Sequence, residues 1–90
     1  MNYRKVYIKI IKKAKSENRK KGQGIYYENH HILPKSIFPL WKYKKRNHIL
    51  LTAREHYICH LMLAKIWPKK MSYALWNLVN NKQQKYIIKG

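Results

Sequence analysis

All five histidines of this 90-residue chain, at positions 30, 31, 48, 56 and 60, fall within one third of its length. Imidazole titrates near neutral pH and is the commonest nitrogen ligand of transition metals, so such a cluster points to proton transfer, metal binding or both. His56 and His60 are four residues apart in "AREHYICHLMLAKIW". In a helix that spacing places both rings on one face at adjacent turns, a common grip for a metal. The metalloprotease motif is absent, since Tyr57 rather than glutamate follows the first histidine. A Cys2His2 finger is excluded as well, because Cys59 is the single cysteine. A third nitrogen from the doublet His30-His31 would complete three protein ligands and leave a coordination position open, as catalytic sites require. Neighbouring strand residues face opposite ways, so the doublet divides its work. One ring turns inward to the metal and the other reaches a water or substrate.

Helices and strands must hold these groups in place. Tyr3, Val6, Tyr7, Ile10, Ile11 and Ala14 form the apolar stripe of an amphipathic helix, which fades through "SENRKKGQG". "IYYENHHIL" is β-branched and aromatic and runs into Pro34, so it predicts a short strand. "PKSIFPLWKYKKRN" reads as a basic connecting loop, anchored to the core by Phe38, Leu40 and Trp41. "HILL" predicts a second strand. Thr52-Ala-Arg-Glu55 is a capping box opening a helix that stops before Pro68. A last helix is expected around Met71, Ala74, Leu75, Leu78 and Val79. The expected order is helix, strand, loop, strand, helix, helix, an α+β arrangement in a single domain. Its parts are an N-terminal helix within 1–21, a core at 25–67, a C-terminal helix at 70–80 and a tail at 81–90.

Charge and composition narrow the chemistry. Lys and Arg total 21 against 3 acidic residues, a formal net charge of +18. Such an excess suits a polyanion, and nucleic acid is the usual one. Glu17, Glu28 and Glu55 are far apart in sequence, and there is no Asp. A carboxylate-built two-metal site is therefore out of reach, and any catalytic metal must be held mainly by nitrogen. An intramolecular disulfide is impossible with one cysteine, which fits a reducing compartment. No membrane span or signal-peptide core is evident, so a cytoplasmic protein is expected.

The motifs Glu28-Asn-His30-His31-Ile32-Leu33-Pro34, Asn47-His48-Ile49-Leu50 and Thr52-Ala53-Arg54-Glu55-His56-x3-His60, in this order, resemble the HNH endonucleases of the ββα-metal (His-Me finger) superfamily. The likeness is closest to small phage-encoded proteins of the homing type. It implies a ββα-metal core flanked by the two outer helices, and hydrolysis of DNA phosphodiesters, by homing or nicking, in the host cytoplasm. By the same resemblance His31 is the general base, and His30, His56 and His60 hold one divalent ion. Asn47 ties the loop to the hairpin and keeps the base in place. Three imidazoles favour Zn or Ni, while a phosphate-bridged site also runs on Mg or Mn. The family's Gly-Gly turn is replaced here by Ile37-Phe38-Pro39-Leu40-Trp41, which implies a different loop path.

Further expectations concern single residues. Arg54, with Lys35, Lys44, Lys45 and Arg46 of the basic loop, is a candidate contact to phosphates of double-stranded DNA. Glu28, two residues before His30, is placed to hydrogen-bond a ligand histidine. His48 is read as a surface residue in preference to a phosphate contact, and Cys59 as a buried apolar one. A second reading is a non-catalytic nucleic-acid-binding module. It needs a closed structural metal site with Cys59 or His48 as fourth ligand. The oligomeric state is left open, a homodimer included.

Overall fold

The computed structural model describes residues 1–71. Helix α1 spans Tyr3–Ser16, strand β1 Glu28–His31, strand β2 His48–Leu51 and helix α2 Ala53–Ile66. This is the α+β order expected, with a two-stranded antiparallel sheet. The helix expected at 70–80 and the tail at 81–90 lie outside the described residues beyond Met71. Among the described residues no helix is long and apolar enough to cross a membrane.

Helix α1 begins where the Asn2 side chain accepts from the backbone N–H of Lys5 at 3.0 Å. It stops at Ser16, short of residue 21, because the backbone turns left-handed at Asn18 (φ 48°). Its stripe packs as the periodicity predicts: Tyr7, Ile11 and Ala14 are buried, and Tyr3, Val6 and Ile10 are partly so. They meet Cys59, Met62 and Leu63 of α2 and Leu51 of β2 in one core. Strand β1 is shorter than the apolar run around it, since its partner β2 offers only four residues.

The sheet register pairs Glu28 with Leu51, Asn29 with Leu50, His30 with Ile49 and His31 with His48. Glu28 and His30 face the core, and Asn29 and His31 the other side. Helix α2 carries the full capping box, with Thr52 accepting from Glu55 N and Glu55 accepting from Thr52 N. Arg19, just past α1, donates from Nη2 to Glu55 Oε2 at 3.0 Å, from Nη1 to Glu55 Oε1, and from Nη1 to the Leu50 carbonyl at 3.1 Å. Polar residues after α1 thus bind the first turn of α2.

The connection from β1 to β2 folds into two short 3-10 turns, Pro39–Trp41 and Lys45–Asn47. Phe38 meets Trp67 edge to face. Leu40 is no anchor, contrary to the sequence expectation: it is 86% exposed. The turn at Pro39 aims it outward, and Trp41 is only partly covered.

Candidate active site

Three imidazoles converge between β1 and α2. His30, on the inner face of β1, is 1% exposed. Its ring centroid lies 5.1 Å from that of His56 and 5.4 Å from that of His60. His56 and His60, one turn apart on α2, are 4.9 Å from each other. One nitrogen from each ring lies within 4.8 Å of the other two, a spacing a single cation can bridge.

The hydrogen bonds around the rings decide which nitrogens face that point. Tyr7 of α1 donates its only hydroxyl proton to the Ile32 carbonyl at 2.6 Å. Toward His30 Nε2, 2.8 Å away, it can then only accept, so Nε2 carries the proton and Nδ1 keeps a lone pair. Burial pushes the Tyr7 phenol up from its usual pKa, so the hydroxyl stays protonated. His56 Nδ1 lies 2.7 Å from Glu28 Oε1, and a carboxylate only accepts, which leaves His56 Nε2 with the lone pair. Tyr26 donates to the other Glu28 oxygen at 2.6 Å. His30 Nδ1 and His60 Nδ1 are buried without a hydrogen-bond partner among the described residues. Orphaned ring nitrogens beside a convergence of imidazoles fit a metal ion, and the all-nitrogen donor set suits a divalent transition metal.

Protonation is disfavoured at the same point. Burial, and then the neighbouring His56, His60 and His31, hold His30 well below its usual 6.5. Burial, with His56 and His31, lowers His60 to about 4. Neutral imidazole is the form that binds a metal.

His31 faces the other way. Its ring stands 4.7 Å from that of His48, its cross-strand partner. Partial burial comes first, then the charges of His48, Lys35 and Lys42; together they lower its pKa, with the Lys42 carbonyl acting in the opposite sense. Asn47 is 2% exposed and ties down the loop. Its Oδ1 accepts from Leu33 N at 2.7 Å, and its Nδ2 donates to the carbonyls of Leu33 at 3.1 Å and Trp41 at 3.0 Å.

The sequence reads His48 as a surface residue, and the structure adds two hydrogen bonds that the sequence does not show. His48 is half-buried, donating from Nε2 to the Lys42 carbonyl at 2.8 Å and accepting at Nδ1 from Asn29 Nδ2 at 2.6 Å. Both its nitrogens are engaged away from the three converging rings. Cys59 is buried in the core, outside the metal-capable group, and burial pushes its thiol up to about 12. Neither residue completes a four-ligand cage. Lys35, Lys44, Lys45, Arg46 and Arg54 are all exposed.

Sequence reasoning missed Tyr7 and Asn29. The periodicity makes Tyr7 one more core residue of the α1 stripe and says nothing of its hydroxyl. A tyrosine where phenylalanine would pack equally well is itself a signal, because a buried hydroxyl must find a partner.

Comparison with known proteins supplies the relatives. The chain is 43% identical over 83 residues to "Probable mobile endonuclease D" of Enterobacteria phage T4, covering 89% of this chain and 31% of that protein. It is 37% identical over 86 residues to "Probable mobile endonuclease E" of the same phage, covering 94% of this chain and 57% of that protein. "Probable mobile endonuclease C" is 34% identical over 85 residues, covering 94% of this chain and 40% of that protein. The chain is thus similar, over nearly its whole length, to phage T4 proteins named probable mobile endonucleases. It spans between about a third and somewhat over half of the length of these endonucleases. That kinship bears out the phage-endonuclease resemblance on nearly the whole chain. No protein-family model and no solved structure matches.

Proposed function

We propose that the chain is the HNH-type, ββα-metal core of a metal-dependent DNA endonuclease. The observation that carries this reading is the convergence of His30, His56 and His60 on one side of β1, with His31 on the opposite face of the same strand. The mobile endonuclease relatives supply the reaction class.

In this reading His31 takes a proton from a water molecule as that water attacks the phosphorus. The new bond forms from the water oxygen, and the bond to the sugar oxygen opposite breaks. His30, His56 and His60 would hold a divalent cation, which would supply Lewis-acid stabilisation of the charge that develops on the scissile phosphate. Asn47 holds the loop against β1, so that His31 keeps its aim. His48, fixed by Asn29 and the Lys42 carbonyl, limits the swing of the His31 ring. Lys35, Lys44, Lys45, Arg46 and Arg54 bind backbone phosphates without reading sequence.

The test is incubation of supercoiled plasmid with the protein, with each of Mg, Mn, Zn and Ni and with chelator. Metal-dependent nicked or linear product is expected, abolished by His31→Ala while DNA binding persists. Full cleavage by His31→Ala in saturating metal would remove His31 from the mechanism. Uncut plasmid with every metal, despite tight DNA binding, would leave a binding module instead.

A further inference from the structure

The loop from β1 to β2 displays apolar side chains that a core-forming chain would be expected to hide. Leu40 is 86% exposed and Tyr43 84%. They do not ride on a slack segment. Trp41 N donates to Phe38 O at 3.0 Å, Lys42 N to Pro39 O at 3.2 Å, Lys44 N to Trp41 O at 3.2 Å and Asn47 N to Lys44 O at 2.9 Å. From within, Asn47 holds the Trp41 carbonyl and His48 the Lys42 carbonyl. The arch is thus tied to the residues that flank His31.

Its sequence, "LWKYKKRN", sets three apolar or aromatic groups among four cationic ones. Lys42 Nζ lies 5.1 Å from the centroid of the Tyr43 ring, a cation placed over an aromatic face. Cations bind any phosphate backbone, whatever the state of its bases. An exposed leucine gains nothing from phosphate and gains only where apolar surface is offered. In a polyanion that surface is the face of a base. A protein partner is the poorer fit, because Lys42, Lys44, Lys45 and Arg46 crowd the same patch and charged residues are depleted from protein interface cores.

We infer that this arch is a base-stack wedge: Leu40 and Tyr43 enter the duplex at a step beside the phosphate presented to His31, while Lys44, Lys45 and Arg46 clasp the flanking phosphates. The inference rests on the nuclease reading for its partner. Apolar wedges that unstack a step work best where stacking is weakest, so the chain selects flexible pyrimidine–purine steps and mismatches over stiff A-tracts. The selectivity comes from deformability, with no base edge read.

The experiment uses the full chain carrying His31→Ala, so that bound DNA stays intact, with and without the further pair Leu40→Ala and Tyr43→Ala. Duplexes carry 2-aminopurine at a flexible step, a mismatch or an A-tract, and circular dichroism confirms that helix content is unchanged. Binding by the parent should brighten 2-aminopurine several-fold and favour the mismatch over the A-tract roughly tenfold. The variant should lose both the brightening and the preference while its affinity keeps the same dependence on salt. Equal brightening in the variant, or salt-dependent binding by the parent without brightening, overturns the wedge alone. Failure of the parent to bind DNA overturns the nuclease reading as well.

Discussion

Tyr7 of α1 and His30 of β1 meet 2.8 Å apart at the bottom of the site, the phenol oxygen accepting from Nε2–H. Because the phenol spends its own proton on Ile32 O, this one contact fixes the tautomer of His30 and leaves the lone pair on its buried, unpartnered Nδ1.

Replacing Tyr7 with Phe keeps the packing and removes that constraint. Metal affinity should fall by about 10–100-fold, as expected when an outer partner of a ligand histidine is lost. The metal-free protein supplies the decisive reading. Nitrogen chemical shifts of His30 should show a single Nε2–H tautomer in the parent and a mixture in Tyr7→Phe. An unchanged tautomer would show that something other than the phenol holds the ring.

Glu28 plays the corresponding part for His56. Glu28→Ala should leave the buried Nδ1–H without an acceptor and weaken metal binding by about 10–100-fold, with Glu28→Gln recovering part of it through its amide oxygen. Competition with a metal-sensitive dye measures both. Equal affinity in parent and Glu28→Ala would separate this carboxylate from the metal.

With His31 as the proposed general base, the acid limb of cleavage should report its titration. A general base must be unprotonated, and the surroundings of His31 lower its pKa from 6.5. At saturating metal, kcat/KM should fall along an acid limb whose midpoint lies below pH 6.5. A midpoint at or above pH 6.5 would point to a different titrating group.

Stability of the metal-free protein should also depend on pH. His60 sits at about 4 and His30 below 6.5 in the folded chain, against 6.5 when unfolded. Between these values the unfolded chain binds more protons, so stability is full above pH 6.5 and is lost as pH falls toward 4. Urea denaturation in chelator across this range should show the loss. A flat profile would mean that these rings are not held neutral by burial.

Arg19 spans the polar side of the fold, its side chain 5% exposed against the carboxylate of Glu55. Arg19→Ala strands the Glu55 carboxylate and the Leu50 carbonyl, and should cost roughly 1–3 kcal/mol in urea denaturation. Thr52→Ala, which removes the helix cap, should cost about 1 kcal/mol. A loss below a few tenths of a kcal/mol for Arg19→Ala would show that water replaces the ion pair without penalty.

Interactions that are local in sequence were legible in advance. The α1 stripe, the "HILL" strand, the Thr52–Glu55 capping box and the i, i+4 pair on α2 each involve residues a turn or a strand apart, and each formed where its pattern lay. The end of α1 was less sharply marked, because the left-handed turn at Asn18 serves a contact from Arg19 to Glu55, 36 residues away. The hydrogen bonds of His48 are hidden from the sequence for the same kind of reason. Its partners, Asn29 and the Lys42 carbonyl, are brought to it by strand register and by loop path.

By itself the sequence determined the chemical inventory: imidazoles close together, almost no carboxylate, a heavy excess of cations, and a strand that must send neighbouring histidines to opposite faces. Strand alternation alone did not choose between those faces, and only the family resemblance set His30 on the metal side. That choice fell to the packing of β1 on α1 and α2, which buried His30 against His56 and His60 and left His31 outside. Ring tautomers were decided at the same stage, because a proton on imidazole goes to whichever nitrogen finds an acceptor. Here the acceptors, Tyr7 and Glu28, come from parts of the chain that only folding brings together.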